Sequence, residues 1–334
     1  MSALWTGEAI AQATGGTLSA PFVVNGVAFD SREVTDGDLF VAMRGEQADG
    51  HDFIAKALAA GASGLIVERP VDAPHVLVQD SFAALQALGH ASRARTSAKV
   101  IGVTGSAGKT GTKEALFHAF DRMSFGAAHR SLKSYNNHVG VPLSLARMPQ
   151  DTRYGVFEMG MNHEGELRDL TQMVRPDVAI VTTIAPAHIE YFGTETKIAQ
   201  AKAEIFEGLT QNGVAIIPFD SPHRDLLEAA ARRYTQNIIT FGLGKGADVR
   251  AVETMPNDEG GTLITAQLPQ GRLNFTLSMP GKHWIANAMA VLATVEAVGG
   301  DLASAGLALA TLPGLPGRGE RRRIRTSDGG EALL

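Results

Sequence analysis

With 334 residues, 44% of them hydrophobic and 19% charged, the chain is long enough for two or three units, each with its own core. A formal charge of -5 without long blocks of one sign argues against a nucleic-acid binder, and the one basic cluster, Arg318 to Arg325, reads as a solvated linker or strand edge. The absence of cysteine excludes a disulfide framework and thiol chemistry.

The opening MSALWTGEAIAQATGG has an early glutamate and no apolar core of signal-peptide length, and no later run approaches the length of a membrane span. A cytoplasmic location without membrane insertion is therefore expected. Apolar segments of strand length alternate with helical ones, the pattern of α/β layers.

Residues 1–96 form a first small α/β unit. Its strands are expected at Val23 to Phe29, Leu39 to Met43, Gly64 to Val67 and Val76 to Val78, and its helices at Phe53 to Ala60 and Phe82 to Arg95. Between them lie Asp30-Ser31-Arg32-Glu33 and other polar turns. Asp30 or Ser31 can be a plain turn former, or Ser31 and Arg32 can present a hydroxyl and a guanidinium to a diphosphate or a base edge.

The second unit, residues 97–314, opens with the apolar run Val100-Ile101-Gly102-Val103-Thr104, which breaks into Gly105-Ser106-Ala107-Gly108-Lys109-Thr110-Gly111. This is a strand, a phosphate loop and a helix start. Glycines 105 and 108 let backbone N–H groups turn toward an anion, and the helix adds its positive end. Lys109 can reach the β/γ-phosphates and Thr110 can hold Mg2+, so a nucleoside triphosphate is the expected ligand. Where the strict pattern has a glycine this chain has Val103, which makes the match a shortened TGxxGKT form.

Further along, Ser131 to Pro142 contains SYNNHVGVP, which reads as a loop. Its Asn136 and Asn137 amides are either turn chemistry or a means of orienting a substrate at the carboxyl edge of the sheet. Glu158 closes the strand Tyr154 to Met159 and is a metal candidate, because in a parallel sheet that end faces the nucleotide. His188 follows the strand Val178 to Thr183 and lands on the same edge, as ligand or as core or capping residue. Lys202 sits among small and apolar residues of an expected helix, Thr194 to Leu209. Its default is a solvated ion pair with Glu204 or Glu207. The alternative is a neutral amine, favoured by desolvation, which CO2 can carbamylate into a carboxylate-like metal ligand.

Beyond Val214 to Pro218 and Ile238 to Phe241, three alternating segments between Ala247 and Ser278 look like a short antiparallel sheet. His283 and Asn287 lie one turn apart on the following small-residue helix and can face one ligand, an adenine edge or simply the helix surface. A Pro/Gly-rich stretch, Leu312 to Arg318, acts as a linker, and Glu331 to Leu334 looks like the start of a strand.

Together these stretches resemble the Mur ligases, ATP-dependent amide-forming enzymes of peptidoglycan synthesis. The resemblance rests on DSREVTDGDLFVAMRG, DGHDFIAKALAAGA, VTGSAGKTGTKE, KSYNNHVGVPLSLARMP, FEMGMNHEGEL, IAPAHIEYFG, AKAEIFEGL and MPGKHWIANA. Within the family, SYNNHVGVP and GKTGTKE look like the D-alanyl-D-alanine-adding type. The resemblance implies a UDP-substrate unit at 1–96, a central mostly parallel phosphate-loop sheet flanked by helices at 97–314, and a hinge with the start of a third, Rossmann-like domain at 315–334. It further implies ATP on Gly105, Ser106, Ala107, Gly108, Lys109, Thr110 and Gly111, with His283 and Asn287 near the adenine and Arg318 reaching the nucleotide from the hinge.

Ser31, Arg32, Asn136 and Asn137 would help seat UDP-N-acetylmuramoyl-tripeptide. Two Mg2+ sites would be shared by Thr110, Glu158, His188 and a carbamylated Lys202, with Lys109, Lys202 and His188 as the catalytic set. D-Alanyl-D-alanine would be the second substrate and the protein a monomer. Without the third domain, which helps bind the incoming amine substrate and closes over ATP, the 334 residues are expected to keep the nucleotide and UDP-substrate sites and to turn over poorly or not at all. Two competing readings are a ligase like folylpolyglutamate synthetase, which shares the central domain, and a non-catalytic nucleotide-binding fragment.

Overall fold

The computed structural model describes residues 3–45, 48–187, 189–257 and 260–314, together with the backbone of Arg323–Arg325 and Glu331–Leu333. His188 and Arg318, both expected at the site, lie outside the described residues.

The amino-terminal part is built on a five-stranded sheet in the order Thr17–Leu18, His75–Leu77, Gly64–Val67, Asp38–Val41, Gly26–Ala28. Its pairings are parallel except at Thr17–Leu18. The expected strand Val23 to Phe29 is divided. Val23–Val24 turns away to pair with Trp5–Thr6, and Gly26–Ala28 joins the main sheet after a break at Asn25. Helix Ser81–Arg95 starts where expected because Asp80 accepts from the amides of Phe82 at 2.8 Å and Ala83 at 3.0 Å.

The central sheet has nine strands, in the order Gly271–Leu277, Thr262–Leu268, Val249–Pro256, Asn237–Gly242, Val214–Pro218, Val178–Val181, Lys99–Thr104, Tyr154–Glu158, Ala128–Arg130. The antiparallel segments extend this same sheet. Val249–Pro256 is parallel to its inner neighbour and antiparallel to Thr262–Leu268, so it is the strand at which direction changes.

Alternation along the parallel strands fills two layers at once. Ile101, Val103, Val156, Val178, Ile180 and Ile216 point toward helices Lys109–Ser124, Lys282–Ala297 and Leu302–Ala310. Their neighbours Val100, Phe157, Ala179, Val181 and Ile217 point to the opposite layer, with helices Glu166–Val174 and Glu195–Ala203.

Chain order reverses at Lys99–Thr104: the chain passes first to the edge strand Ala128–Arg130, returns to Tyr154–Glu158 between them, and then crosses to Val178–Val181 on the other side. The loops leaving Thr104, Glu158 and Val181 therefore open into one crevice, the position at which open α/β sheets bind ligands.

Two expected elements end differently. The polar stretch from Ser131 runs into helix Gly140–Ala146, whose Pro142 sits in the first turn where a missing N–H costs nothing. The expected helix Thr194 to Leu209 is α-helical only over Glu195–Ala203 and tightens into a 3-10 turn at Glu204–Gly208, as helix ends commonly do.

The two sheets are joined by a shared apolar cluster, in which Leu143 and Ala146 of the central unit pack with Ile10, Val24, Leu85 and Leu88 of the first. Trp5 donates its indole N–H to Ala146 O at 2.8 Å across the same boundary. Leu143→Ala should therefore loosen both units together, costing about 2–5 kcal/mol in denaturant unfolding, with the transition shifting as a whole. A loss below about 1 kcal/mol would mean that Leu143 does not bind the units into one core.

Candidate active site

The phosphate loop is shaped by two close approaches. Gly105 has φ 148°, and a Cβ there would lie 2.0 Å from Thr182 Oγ1, whose hydroxyl donates to Ala107 O at 2.6 Å. Gly108 has φ 86° and opens helix Lys109–Ser124 with no side-chain cap, which leaves the first-turn N–H groups directed at the loop's concave face. Ser106 ties the loop to the neighbouring strand's exit through its amide to Thr183 O at 2.7 Å and its hydroxyl to Ala185 O at 2.9 Å. Lys109 folds back over the loop, its Nζ donating to Gly105 O at 2.7 Å. Thr110 is the second residue of the helix, half-buried at the same end.

Glu158 is 1% exposed. Its Oε1 accepts from Asn136 Nδ2 at 2.8 Å, and its backbone amide donates to Ser131 Oγ at 3.0 Å. Its Oε2 is buried and has no hydrogen-bond partner among the described residues, while Lys113 Nζ lies 3.7 Å away. A carboxylate oxygen held bare beside a phosphate loop suits a hard cation that prefers oxygen ligands. Among the described residues no three His, Asp or Glu side chains gather into a metal cluster, so a cation here would draw on Glu158, the Thr110 hydroxyl and phosphate oxygens.

Lys113 was not among the residues singled out in the sequence, yet it is fully buried at the heart of the site. Its ammonium donates to Lys133 O at 2.7 Å and lies 3.1 Å from Glu114 Oε1. The signal that could have found it is spacing: Lys113 is four residues after Lys109 on one helix, hence on the same face.

Lys202 is 3% exposed and does not make the expected surface ion pair. Glu204 instead caps helix Glu166–Val174, accepting from the amides of Gly165 at 2.8 Å and Arg168 at 3.1 Å, and Glu207 pairs with Arg168 Nε at 2.8 Å. Burial, with a smaller contribution from the positive charge of Lys109, lowers the Lys202 pKa to about 7. The contribution of Lys109 means that its charge is felt at Lys202 across the site.

Asn287 is buried, and its Oδ1 would be 2.9 Å from a Cβ on Gly108, so helix Lys282–Ala297 lies directly against the loop. His283, one turn earlier, is exposed beside Gly281. Asn137 acts locally, its Oδ1 accepting from the amides of Val139 at 3.2 Å and Gly140 at 2.9 Å at the start of helix Gly140–Ala146.

Ser31 and Arg32 stand apart from the loop, on a cleft of about 1010 Å³ that runs from Phe29 and Arg44 in the first unit to His138 and Val139 in the second. Ser31 is buried, whereas the exposed Arg32 guanidinium is forked onto Asp30, with Nη2 to Oδ2 at 2.6 Å. That bond holds the Asp30 carboxyl down at about 2.

A phosphate loop at the switch point of a mostly parallel sheet, with a bare buried carboxylate one strand away and a substrate-sized cleft on a second unit, defines a nucleotide-dependent transferase or ligase. Comparison with known proteins narrows this. Residues 103–295 match the Mur ligase middle domain and residues 23–105 match the Mur ligase family catalytic domain. The chain belongs to the Mur ligase family and is an ATP-dependent ligase.

It is 36% identical over 306 residues to the UDP-N-acetylmuramoyl-tripeptide--D-alanyl-D-alanine ligase of Escherichia coli K12, covering 91% of this chain and 67% of that protein. The crystal structure of MurF from Acinetobacter baumannii superposes with a TM-score of 0.83 at 33% identity, covering 97% of this chain and 71% of the other. MurF from Thermotoga maritima in complex with ADP gives 0.74 at 31% identity over 90% and 68%. A folylpolyglutamate synthetase (FPGS) structure from L. casei gives 0.60 at 14% identity over 73% and 70%, a likeness of fold alone.

The lowered Lys202 pKa has a consequence for stability. Between pH 7 and 10.5 the unfolded chain holds a proton on this lysine that the folded chain has released, so wild-type stability rises with pH across that window. In CO2-free buffer Lys202→Met should be the more stable protein below pH 7, with its advantage shrinking toward pH 10.5, as read by urea unfolding along a pH series. An advantage that stayed constant with pH would show that Lys202 titrates normally.

Proposed function

We propose that this chain carries the ATP- and UDP-substrate-binding machinery of the ligase that joins D-alanyl-D-alanine to UDP-N-acetylmuramoyl-tripeptide. The observation that carries the reading is the bare, buried Oε2 of Glu158 beside a lysine-bearing phosphate loop. ATP lies along residues 105–111, with Asn287 and His283 toward the base. Ser31 and Arg32 line the cleft that takes the UDP end of the peptide substrate. Asn136 acts by orienting Glu158.

In the reaction, the peptide's terminal carboxylate attacks the γ-phosphorus, the bond to the β-γ bridging oxygen breaks, and ADP leaves with the electron pair. The amine of D-alanyl-D-alanine then attacks the acyl carbon, expels inorganic phosphate and loses a proton to form the amide. Lys109 and the uncapped helix N-terminus stabilise charge on the transferring group. Mg2+ held by Thr110 and Glu158 would neutralise further charge there.

Lys202 serves as a carbamate: its neutral amine, available near pH 7, attacks the carbon of CO2 and releases a proton, exchanging a buried ammonium for an anionic oxygen donor. His188 completes the second cation site in this reading.

The decisive measurement is a thermal-shift titration. ATP with Mg2+, and UDP-N-acetylmuramoyl-tripeptide separately, should each raise the melting temperature, because a ligand bound only to the folded state stabilises it by mass action. Lys109→Met should abolish the nucleotide shift and spare the UDP shift. Absence of any response to the UDP compound would overturn the substrate assignment and favour a ligase of the folylpolyglutamate type.

A further inference from the structure

The segment between Ser131 and Asn136 is fastened on one side to Glu158 and on the other to the first unit. On the inner side, Ser131 accepts from the Glu158 amide, the Lys133 carbonyl accepts from the Lys113 ammonium, and Asn136 donates to Glu158 Oε1. Asn136 O also accepts from the Gly160 amide at 2.7 Å. On the outer side, Tyr135 donates its hydroxyl to Glu33 Oε1 at 2.6 Å, and the Lys133 ammonium makes a short ion pair with the same oxygen. Lys133 holds φ 51°, a left-handed conformation that a residue with a Cβ adopts only when its surroundings enforce it.

Glu33 itself belongs to the turn Asp30 to Glu33, closed by the Glu33 amide to Asp30 O at 2.9 Å. The same turn's Asp30, Ser31 and Arg32 line the large cleft, while Glu33 faces away from it toward the central unit.

We infer that Glu33 is a positioning residue: through Lys133 and Tyr135 it holds the segment that sets Asn136 and Lys113 on the cation-binding carboxylate Glu158. This rests on the reading of Glu158 as a Mg2+ ligand. As a surface ion pair the Glu33–Lys133 contact contributes little to stability, because Lys133 is largely solvated. Its effect is geometric. Burial alone would raise the Glu33 pKa, but the bonds from Lys133 and Tyr135 outweigh it and leave the carboxyl lowered, so an anionic acceptor is in place at neutral pH. Removing the negative charge from that acceptor weakens its hold on the Lys133 ammonium, which frees the strained Lys133 backbone to relax, and the Lys133 carbonyl that anchors Lys113 moves with it.

The test measures the Mg2+ concentration at which saturating ATP gives half its thermal shift, in the 334-residue chain and its variants. Glu33→Gln should raise that concentration by about tenfold, the size of effect seen when a partner outside the ligand shell is lost. Tyr135→Phe should move it in the same direction by less. Glu33→Gln combined with Lys133→Met should be no worse than Glu33→Gln alone, the non-additivity expected of one pathway. Amide exchange across residues 131–137 should quicken in Glu33→Gln. If the wild type responds to Mg2+ and the variants respond identically, whatever their melting temperatures, the latch is overturned. If ATP binding by the wild type ignores Mg2+, the assignment of Glu158 falls and the latch with it.

Discussion

A carboxylate buried at the end of a central strand needs polar partners, and the groups around Glu158 are arranged to supply them. Only one of its oxygens is satisfied by a neutral donor, Asn136, while the other faces a buried ammonium without a hydrogen bond to it. That arrangement compensates the charge without saturating the ligand sphere. It requires Lys113 to be brought to the strand end by the phosphate-loop helix, and Asn136 by the segment after Ala128–Arg130. Both are possible because Tyr154–Glu158 lies between Lys99–Thr104 and Ala128–Arg130 in the sheet. The strand order and the electrostatics are thus one constraint seen at two scales.

The positive side of the site follows from the same helix. Lys109 and Lys113 are one turn apart, yet they do different things. Lys109 bonds the loop carbonyl of Gly105 at the rim, whereas Lys113 is fully enclosed and balances Glu158. A single helix therefore delivers one cation to the ligand edge and one to the interior, with its own uncapped amides between the rim and the sheet.

The phosphate loop was legible in the sequence because its chemistry is local. Glycines, lysine and threonine are contiguous, and the strand and helix that flank them carry their own periodicity. Glu158 was legible for a related reason, since the end of a buried parallel strand has a known orientation toward the crevice. What escaped depends on contacts distant in sequence. Glu33 meets Tyr135 from 102 positions away, and no pattern within the turn Asp30 to Glu33 marks which of its polar groups faces the cleft and which faces the other unit. In sequence Asn136 and Asn137 share one amide-rich loop, but packing separates the two. Asn136 turns inward to Glu158, and Asn137 accepts from the amides of Val139 and Gly140 where the next helix begins, a helix masked in the sequence by the glycine and proline at its start. Glu204 differs from expectation for the opposite reason: closeness in sequence suggests a pair with Lys202, while the free amides at the start of helix Glu166–Val174 take its carboxylate.

That last choice decides the character of Lys202. Had Glu204 turned to it, a buried ion pair would have fixed the ammonium, and the lysine would be a structural cation. With Glu204 committed elsewhere, Lys202 meets burial and the like charge of Lys109, and both push its proton off. The rim then holds two amines whose charges oppose each other, and the arrangement becomes favourable when one is neutral or anionic.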